Sequence, residues 1–260
     1  MVFVALDERA AGGGFIRAVR FERSDELDPG EYPFTVPAVR ALCGQGELEL
    51  DAGVTFFAGD NGSGKSTLVE AIALAAGLNA EGGSRSFAFA TRASESALGD
   101  HITLVRGARR PATEFFLRAE SFYNVATQIE MLERVDPGLL ASYGGRSLHE
   151  RSHGESFLSL ALHRFGPHGL YLLDEPESAL SVPGCLAFLR RMHELANAGS
   201  QFVVATHSPI LMALPGAAIV EIDEGGFHPV PYEQTQAYQL TSAFLASPER
   251  FLRHLLADEP

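Results

Sequence analysis

The sequence has 260 residues, of which 46% are hydrophobic and 20% charged, a composition typical of a globular protein with a substantial core. The formal net charge of −13 argues against broad, non-specific nucleic-acid binding, which relies on Lys and Arg to neutralise phosphates. No apolar run reaches the roughly 18 residues that a membrane helix needs, and Cys43 and Cys185 match no metal-ligand spacing. We therefore expect a cytoplasmic protein in a reducing compartment.

The first part of the chain predicts a strand, a glycine-rich turn and a helix in direct succession. A strand-like segment at 15–21 and a loop rich in proline and glycine at 28–33 come first. Residues 54–58 are mostly β-branched or aromatic and stop at a glycine, which predicts a buried strand. Residues 65–76 carry apolar side chains at helical spacing and are followed by glycine, which predicts a helix.

The middle of the chain predicts two strands and two helices. Residues 101–105 and 114–118 have the composition of strands, and the turn between them predicts that they pair with each other. Helices are predicted over residues 122–135 and 153–165, with a glycine-containing loop at 143–147 between them.

Strand and helix alternate regularly in the second half. Strands are predicted at 170–173, 202–205 and 218–222, and a helix at 183–198. The remainder from 235 to 257 is mostly helical with a break near Ser247 and Pro248. This alternation predicts an α/β fold with a mainly parallel sheet covered by helices on both faces. We predict one domain over residues 1–260, with approximate subregions 1–78, 79–168 and 169–260.

The strongest sequence signal for chemistry is the segment 59–67, which fits the pattern G-x-x-x-x-G-K-[ST] between a predicted strand and a predicted helix. Its glycines allow backbone N–H groups to surround a phosphate, and the helix N-terminus adds partial positive charge. Lys65 is expected to reach the β- and γ-phosphates of ATP, and the Ser66 hydroxyl to ligate Mg²⁺. The candidate ATP-binding residues of this loop are Gly59, Asp60, Asn61, Gly62, Ser63, Gly64, Lys65, Ser66 and Thr67.

Two acidic residues follow the predicted strand at 170–173. The end of such a strand lies at the carboxyl edge of the sheet, where α/β proteins bind ligands. Asp174 is a candidate Mg²⁺ ligand, and Glu175 is a candidate to orient or deprotonate the attacking water. His207 ends the next strand, which should lie beside the Asp174 strand, so it is a candidate donor to the γ-phosphate.

The segment 152–156 has two interpretations that are compatible with each other. Ser152 and Glu155 fit a capping box for the helix that follows. The same capped N-terminus is a candidate anion site, because its free N–H groups and helix dipole favour negative charge.

These segments resemble, in their order along the chain, the motifs of ABC ATPases. The matching segments are 59–67 (Walker A), 152–156 (LSGGQ signature), 174–176 (Walker B with its catalytic glutamate), 178–181 (D-loop) and His207 (switch histidine). The resemblance covers roughly residues 54–209. It implies an ABC nucleotide-binding-domain fold with an antiparallel N-terminal part and a helical signature subregion, and catalytic roles for Glu175, His207 and Lys65.

The resemblance also implies a second copy of the chain. Two nucleotide domains of this family enclose two ATP molecules head to tail, so Ser152, Gly154 and Glu155 would face the nucleotide of the other subunit. His153 and Glu155 depart from the usual signature. Asp60, Asn61 and Glu177 are closer to stand-alone AAA/ABC ATPases related to chromosome-maintenance and DNA-repair proteins, although the long coiled coil of many such relatives is absent from this sequence.

Some family positions have several candidates. Gln128, Glu120 and Ser121 are candidates for the Q-loop. The candidate adenine contacts are Tyr32, Phe34 and Phe15.

The sequence thus predicts a Mg²⁺-dependent ATPase that dimerises on ATP. Two alternatives share its active-site chemistry: the ATP-binding subunit of a membrane transporter, and a nucleic-acid-associated ATPase of repair or defence. Lys65→Ala is expected to abolish nucleotide binding, and Glu175→Gln to stop turnover while binding is retained.

Overall fold

The computed structural model describes residues 13–23, 28–80, 82–83, 97–135, 138, 140–141, 145, 147–150 and 152–256. In chain order the strands are β1 (Ile16–Phe21), β2 (Glu47–Glu49), β3 (Val54–Gly59), β4 (Ile102–Arg106), β5 (Thr113–Arg118), β6 (Gly169–Asp174), β7 (Gln201–Ala205), β8 (Ala218–Asp223) and β9 (Gly226–Pro229). The helices are α1 (Pro37–Gln45), α2 (Lys65–Ala76), α3 (Phe122–Val135), α4 (His153–His163), α5 (Val182–Asn197), α6 (Pro209–Met212), α7 (Gln236–Ala246) and α8 (Pro248–Leu255).

A six-stranded sheet lies at the centre, in the order β5-β6-β7-β3-β8-β9, and only β9 runs antiparallel to its neighbour. A second, antiparallel sheet has the order β2-β1-β4. The predicted α/β class, the mainly parallel sheet and the antiparallel N-terminal part are confirmed. The helix predictions over residues 65–76 and 122–135 match α2 and α3.

Both faces of the central sheet are buried, as expected for continuous runs of apolar residues in parallel strands. Alternate residues of each strand point to opposite faces, so Phe57 packs against α1, α2 and the antiparallel sheet. The neighbouring Phe56 packs against α3, α4 and α5 on the other face. The carboxyl ends of β3, β5, β6 and β7 therefore meet at one edge that the helices leave open.

One prediction of strand pairing is wrong. The strands at 102–106 and 113–118 do not pair with each other: β4 pairs antiparallel with β1, and β5 pairs parallel with β6. The turn between them therefore connects two different sheets. Four short elements, α1, β2, α6 and β9, were not predicted, and the predicted loop at 143–147 lies mostly outside the described residues.

A buried glutamine links the two sheets. Gln201 is fully buried at the start of β7. Its Oε1 accepts a hydrogen bond from the Ile16 N–H at 2.9 Å, and its Nε2 donates to the carbonyl oxygens of Ile16 and Asp51, both at 2.7 Å. Gly14 lies so close to this amide that an added Cβ would be 2.5 Å from Nε2. One side chain thus holds the antiparallel sheet against the central sheet.

Replacing Gln201 with leucine is expected to destabilise the protein, because three backbone groups, two of them buried, lose their partner. We expect the free energy of unfolding to fall by about 3 kcal/mol, the sum of several small penalties for unpaired buried groups. Urea unfolding followed by circular dichroism measures it. Gln239→Leu at an exposed position of α7 is the control, and equal urea midpoints for the two variants would contradict the prediction.

Within the described residues, every helix is too short or too polar to cross a lipid bilayer.

Candidate functional site

The loop 59–67, called the phosphate loop below, joins β3 to α2 at the open edge of the sheet. Gly59, Gly62 and Gly64 have φ values of 133°, 81° and 91°, in the region that favours glycine. A Cβ on Gly64 would also lie 2.7 Å from Cγ2 of Val36, at the start of α1. Backbone conformation and close packing therefore both require glycine here, and the loop has the predicted strand–loop–helix placement.

Lys65 begins α2 and folds back over the phosphate loop. Its Nζ donates to the carbonyl oxygens of Gly59 at 2.9 Å and of Asp60 at 2.8 Å, and it lies 3.4 Å from Oγ of Ser63. The residue is only 4% exposed. Burial lowers the pKa of Lys65, and the nearby carboxylates, Glu175 first among them, oppose that change. The ammonium group is thus enclosed by the phosphate loop.

Asp174 ends β6 beside the phosphate loop, and its side chain is 8% exposed. Burial raises the pKa of Asp174 to about 6, against the opposing effects of a hydrogen bond from Ser66 and the charge of Arg118. The two predicted Mg²⁺ ligands, Ser66 and Asp174, therefore contact each other.

Glu175 and His207 lie side by side at the ends of β6 and β7. The Glu175 N–H donates to the Ala205 carbonyl oxygen at 2.9 Å, and Oε1 of Glu175 is 3.7 Å from Nε2 of His207. Glu175 has φ 47° and ψ 52°, a left-handed conformation that is uncommon outside glycine and concentrates at functional sites. The two predicted catalytic side chains are thus brought together, with both partly exposed to the open edge.

Four buried polar atoms at this edge have no hydrogen-bond partner in the part of the chain that the structure describes. They are Nε of Arg118, Oδ1 of Asp174, Oε2 of Glu177 and Nε2 of His207. Buried polar atoms are nearly always paired, so such a cluster indicates a site for a polar ligand. The free Oδ1 of Asp174 next to the Ser66 hydroxyl supplies the oxygen ligands that Mg²⁺ prefers, so these residues fit that ion.

The sequence interpretation missed Arg118, the last residue of β5. Its NH1 donates to Oε2 of Glu70 on α2 at 2.6 Å, and its Nε is 3.5 Å from Oδ2 of Asp174. The register of the two parallel strands places Arg118 directly beside Asp174. The sequence feature that could have identified Arg118 is a charged residue at the end of a buried strand. Arg118 engages one carboxylate oxygen of Asp174 and leaves the other free.

The predicted capping box is present at the start of α4. The Ser152 Oγ accepts from the Glu155 N–H at 3.4 Å, and Oε2 of Glu155 accepts from the Ser152 N–H at 3.0 Å. Gly154 faces the turn after β6, where an added Cβ would be 2.8 Å from the Ala179 carbonyl oxygen. These residues line a groove of about 460 Å³ between the N-termini of α4 and α5, called the signature groove below.

The signature groove and the phosphate loop are separate surfaces of one chain. A groove of about 610 Å³ beside the phosphate loop is lined by residues 59–63, Pro37, Gln236 and the end of β8. Among the described residues that line these two grooves, none is shared. Of the predicted nucleotide contacts, Ser152, Gly154 and Glu155 line the first of these grooves, and residues 59–63 line the second.

Of the three candidate adenine contacts, only Tyr32 is accessible. Phe15 and Phe34 are buried in the core, whereas Tyr32 is 67% exposed and its hydroxyl is 3.2 Å from Oγ1 of Thr67. The Q-loop candidates remain unassigned: Glu120 is exposed after β5, with an oxygen 4.0 Å from Arg118, and Gln128 lies within α3.

Two segments of the chain match protein-family models. Residues 38–132, which contain the phosphate loop, match a model described as "AAA domain". Residues 155–213, which contain Asp174, Glu175 and His207, match a model described as "AAA domain, putative AbiEii toxin, Type IV TA system". A search of curated proteins gave no significant match.

Several solved structures are similar at low identity. The SMC head domain from Thermotoga maritima is 18% identical with a TM-score of 0.41, over 83% of this chain and 98% of that chain. A structure titled "An inward-facing conformation of a putative metal-chelate type ABC transporter" is 16% identical with a TM-score of 0.47, over 88% of this chain and 89% of that chain. An SMC head bound to the C-terminal winged-helix domain of ScpA is 14% identical with a TM-score of 0.41, over 83% and 97% of the two chains.

Proposed function

We propose that this chain is an ABC-type P-loop ATPase, which hydrolyses ATP with Mg²⁺ in a site that a second copy of the chain completes. The observation that carries the proposal is the convergence of a glycine-rich phosphate loop, a lysine, two acidic residues and a histidine at one edge of the sheet. Each of these groups meets one requirement of phosphoryl transfer to water. That reaction is catalysed mainly by positioning and by stabilisation of charge.

The phosphate loop would bind the triphosphate. Its backbone N–H groups and the N-terminus of α2 attract anions, and the Lys65 ammonium would exchange its two carbonyl contacts for phosphate oxygens. Ser66 and Asp174 would hold Mg²⁺, which offsets negative charge on the phosphates when bound. Tyr32 is the accessible aromatic ring next to this loop and is the proposed contact for the base.

Glu175 and His207 would act on the transferred group. Glu175 would orient a water and accept its proton as the water oxygen attacks the γ-phosphorus, and the bond from that phosphorus to the β,γ-bridging oxygen breaks to release ADP. The His207 imidazole would donate a hydrogen bond to the γ-phosphate, where charge develops in the transition state. The separation of 3.7 Å between these two side chains supports a joint action on one small group.

A second copy would supply the signature residues to the site. The signature groove presents two serine-capped helix N-termini, those of α4 and α5, and such ends favour a phosphate. In a head-to-tail dimer, this groove would contact the nucleotide bound by the partner copy.

The composite site can be tested by mixing two inactive variants. Ser152→Asp keeps a good N-cap but places a negative charge where the γ-phosphate would lie, so we expect ATP hydrolysis to fall by about 100-fold, with Ser152→Asn as the neutral control. Lys65→Ala leaves the signature groove intact. A mixture of Ser152→Asp and Lys65→Ala should recover hydrolysis, because mixed dimers contain one complete site. If the mixture is no more active than its components, the site is not shared between copies.

A further inference from the structure

Glu177 lies two residues beyond Glu175 in the turn after β6, and no step of the proposed reaction uses it. Its Oε1 accepts a hydrogen bond from the backbone N–H of His207 at 2.6 Å. This short contact has a charged acceptor, which makes it one of the stronger kinds of hydrogen bond. Glu177 therefore ties the turn that carries Glu175 to the loop that carries His207.

The two segments are joined at a second point. The Glu175 N–H donates to the Ala205 carbonyl oxygen at 2.9 Å, and the side chains of Glu175 and His207 are 3.7 Å apart. The backbone on both sides of His207 is also fixed. Thr206 donates its N–H to Phe57, and the Ser208 N–H donates to Oγ1 of Thr206. The Glu177 carboxylate anchors the remaining N–H of this loop.

The turn around Glu177 is itself constrained. The Ser178 N–H and hydroxyl both donate to the Glu175 carbonyl oxygen, at 3.1 and 2.9 Å, and the Leu180 N–H donates to the carbonyl oxygen of Glu177 at 2.9 Å. Glu177 thus projects from a turn with few alternative conformations. A side chain on such a turn can set the position of the backbone that it binds.

We propose that Glu177 is a positioning residue that fixes the His207 imidazole relative to Glu175 through the His207 backbone N–H. Its kinetic consequence rests on the hydrolysis proposed above, whereas the hydrogen bond can be tested without any nucleotide. To hold the His207 N–H, the side chain at position 177 needs a hydrogen-bond acceptor and the length of glutamate. The negative charge strengthens the contact but is not required for it, because the group that Glu177 binds is a neutral N–H.

Two substitutions separate these properties. Glu177→Gln keeps the length and an acceptor oxygen but loses the charge. Glu177→Met keeps the length but has no oxygen. Hydrogen exchange of the peptide 204–212, followed by mass spectrometry on the protein without nucleotide, reports on the His207 N–H. We expect exchange at this amide to be about 10-fold faster or more in Glu177→Met, which loses the hydrogen bond, and closer to the wild-type rate in Glu177→Gln, which keeps a weaker bond to a neutral acceptor.

Hydrolysis kinetics provide the second measurement. Glu177→Met is expected to lower kcat by about 10- to 100-fold, because displacement of a catalytic group by about 1 Å has effects of that size, while the Kd for ATP stays within about twofold. Glu177→Gln should recover most of kcat. Thermal melting checks that each variant is folded; if Glu177→Met is not, Glu177→Asp, which is one methylene too short for the contact, takes its place with the same expectations.

The outcomes distinguish this proposal from the proposed function. Unchanged exchange in Glu177→Met, unchanged kcat with faster exchange, or equal impairment of the Gln and Met variants would each overturn the positioning role. If wild-type protein does not hydrolyse ATP, the proposed function fails, and the exchange data alone then decide whether Glu177 holds His207.

Discussion

Glu175→Gln is expected to bind ATP as tightly as the wild type and to hydrolyse it roughly 100- to 10,000-fold more slowly, the size of effect usual for loss of a general base. The amide keeps the shape of the side chain but is too weak a base to accept a proton from water. Glutamine tolerates the left-handed backbone at φ 47° no worse than glutamate does, so we expect the fold to be unchanged. The loss should therefore fall on kcat alone.

The same variant should accumulate an ATP-bound dimer, because hydrolysis is the step that would release it. Light scattering after size exclusion, with and without Mg²⁺ and ATP, measures the mass of the particle. Glu249→Gln, the same change at an exposed position of α8, is the control and should leave hydrolysis unchanged. Hydrolysis by Glu175→Gln at the wild-type rate would show that another group activates the water.

Lys65→Ala is expected to weaken ATP binding by about 100-fold or more, since each hydrogen bond to a charged group contributes roughly 1.5–3 kcal/mol and the ammonium would make more than one to the phosphates. The substitution also removes the donor that now bridges the carbonyl oxygens of Gly59 and Asp60. Loop shape and phosphate affinity are thus lost together. Isothermal titration calorimetry with Mg²⁺-ATP measures the Kd.

A charge-matched control separates this local effect from the loss of one positive charge. Arg109 is exposed in the turn between β4 and β5, and Arg109→Ala should leave the Kd within about twofold of the wild type because exposed charges are screened. A Kd for Lys65→Ala equally close to the wild-type value would contradict the assignment of the phosphate loop.

The elements that the sequence predicted well are long or strongly patterned. The helix at 122–135 matches α3, and the alternation after residue 169 yields the parallel sheet. Short elements were missed. The nine-residue α1 has proline at its start and a left-handed glycine at its end, but too few turns to show a clear period. Pairing over long distances was also mispredicted: composition identifies β4 and β5 as strands but does not say which sheet each one joins.

The residues of the site also divide into those that the sequence could predict and those that it could not. The carboxyl ends of adjacent parallel strands must share an edge, and this rule was enough to predict that Asp174, Glu175 and His207 lie together. Applied to β5, it would also have indicated Arg118. The contact between Glu177 and His207 is different, because it depends on a side-chain conformation and on a tight turn. Neither of these has a signature in the order of residues.

Lys65 is the only lysine in the 260-residue sequence, and its amine is almost completely enclosed by the phosphate loop. Any reagent specific for side-chain amines therefore has a single target in this protein, apart from the α-amino group. An isotope-labelled methyl group added to that amine by reductive methylation would give one side-chain resonance. Its chemical shift would report directly on whether the loop holds its own carbonyl oxygens or an added polyphosphate.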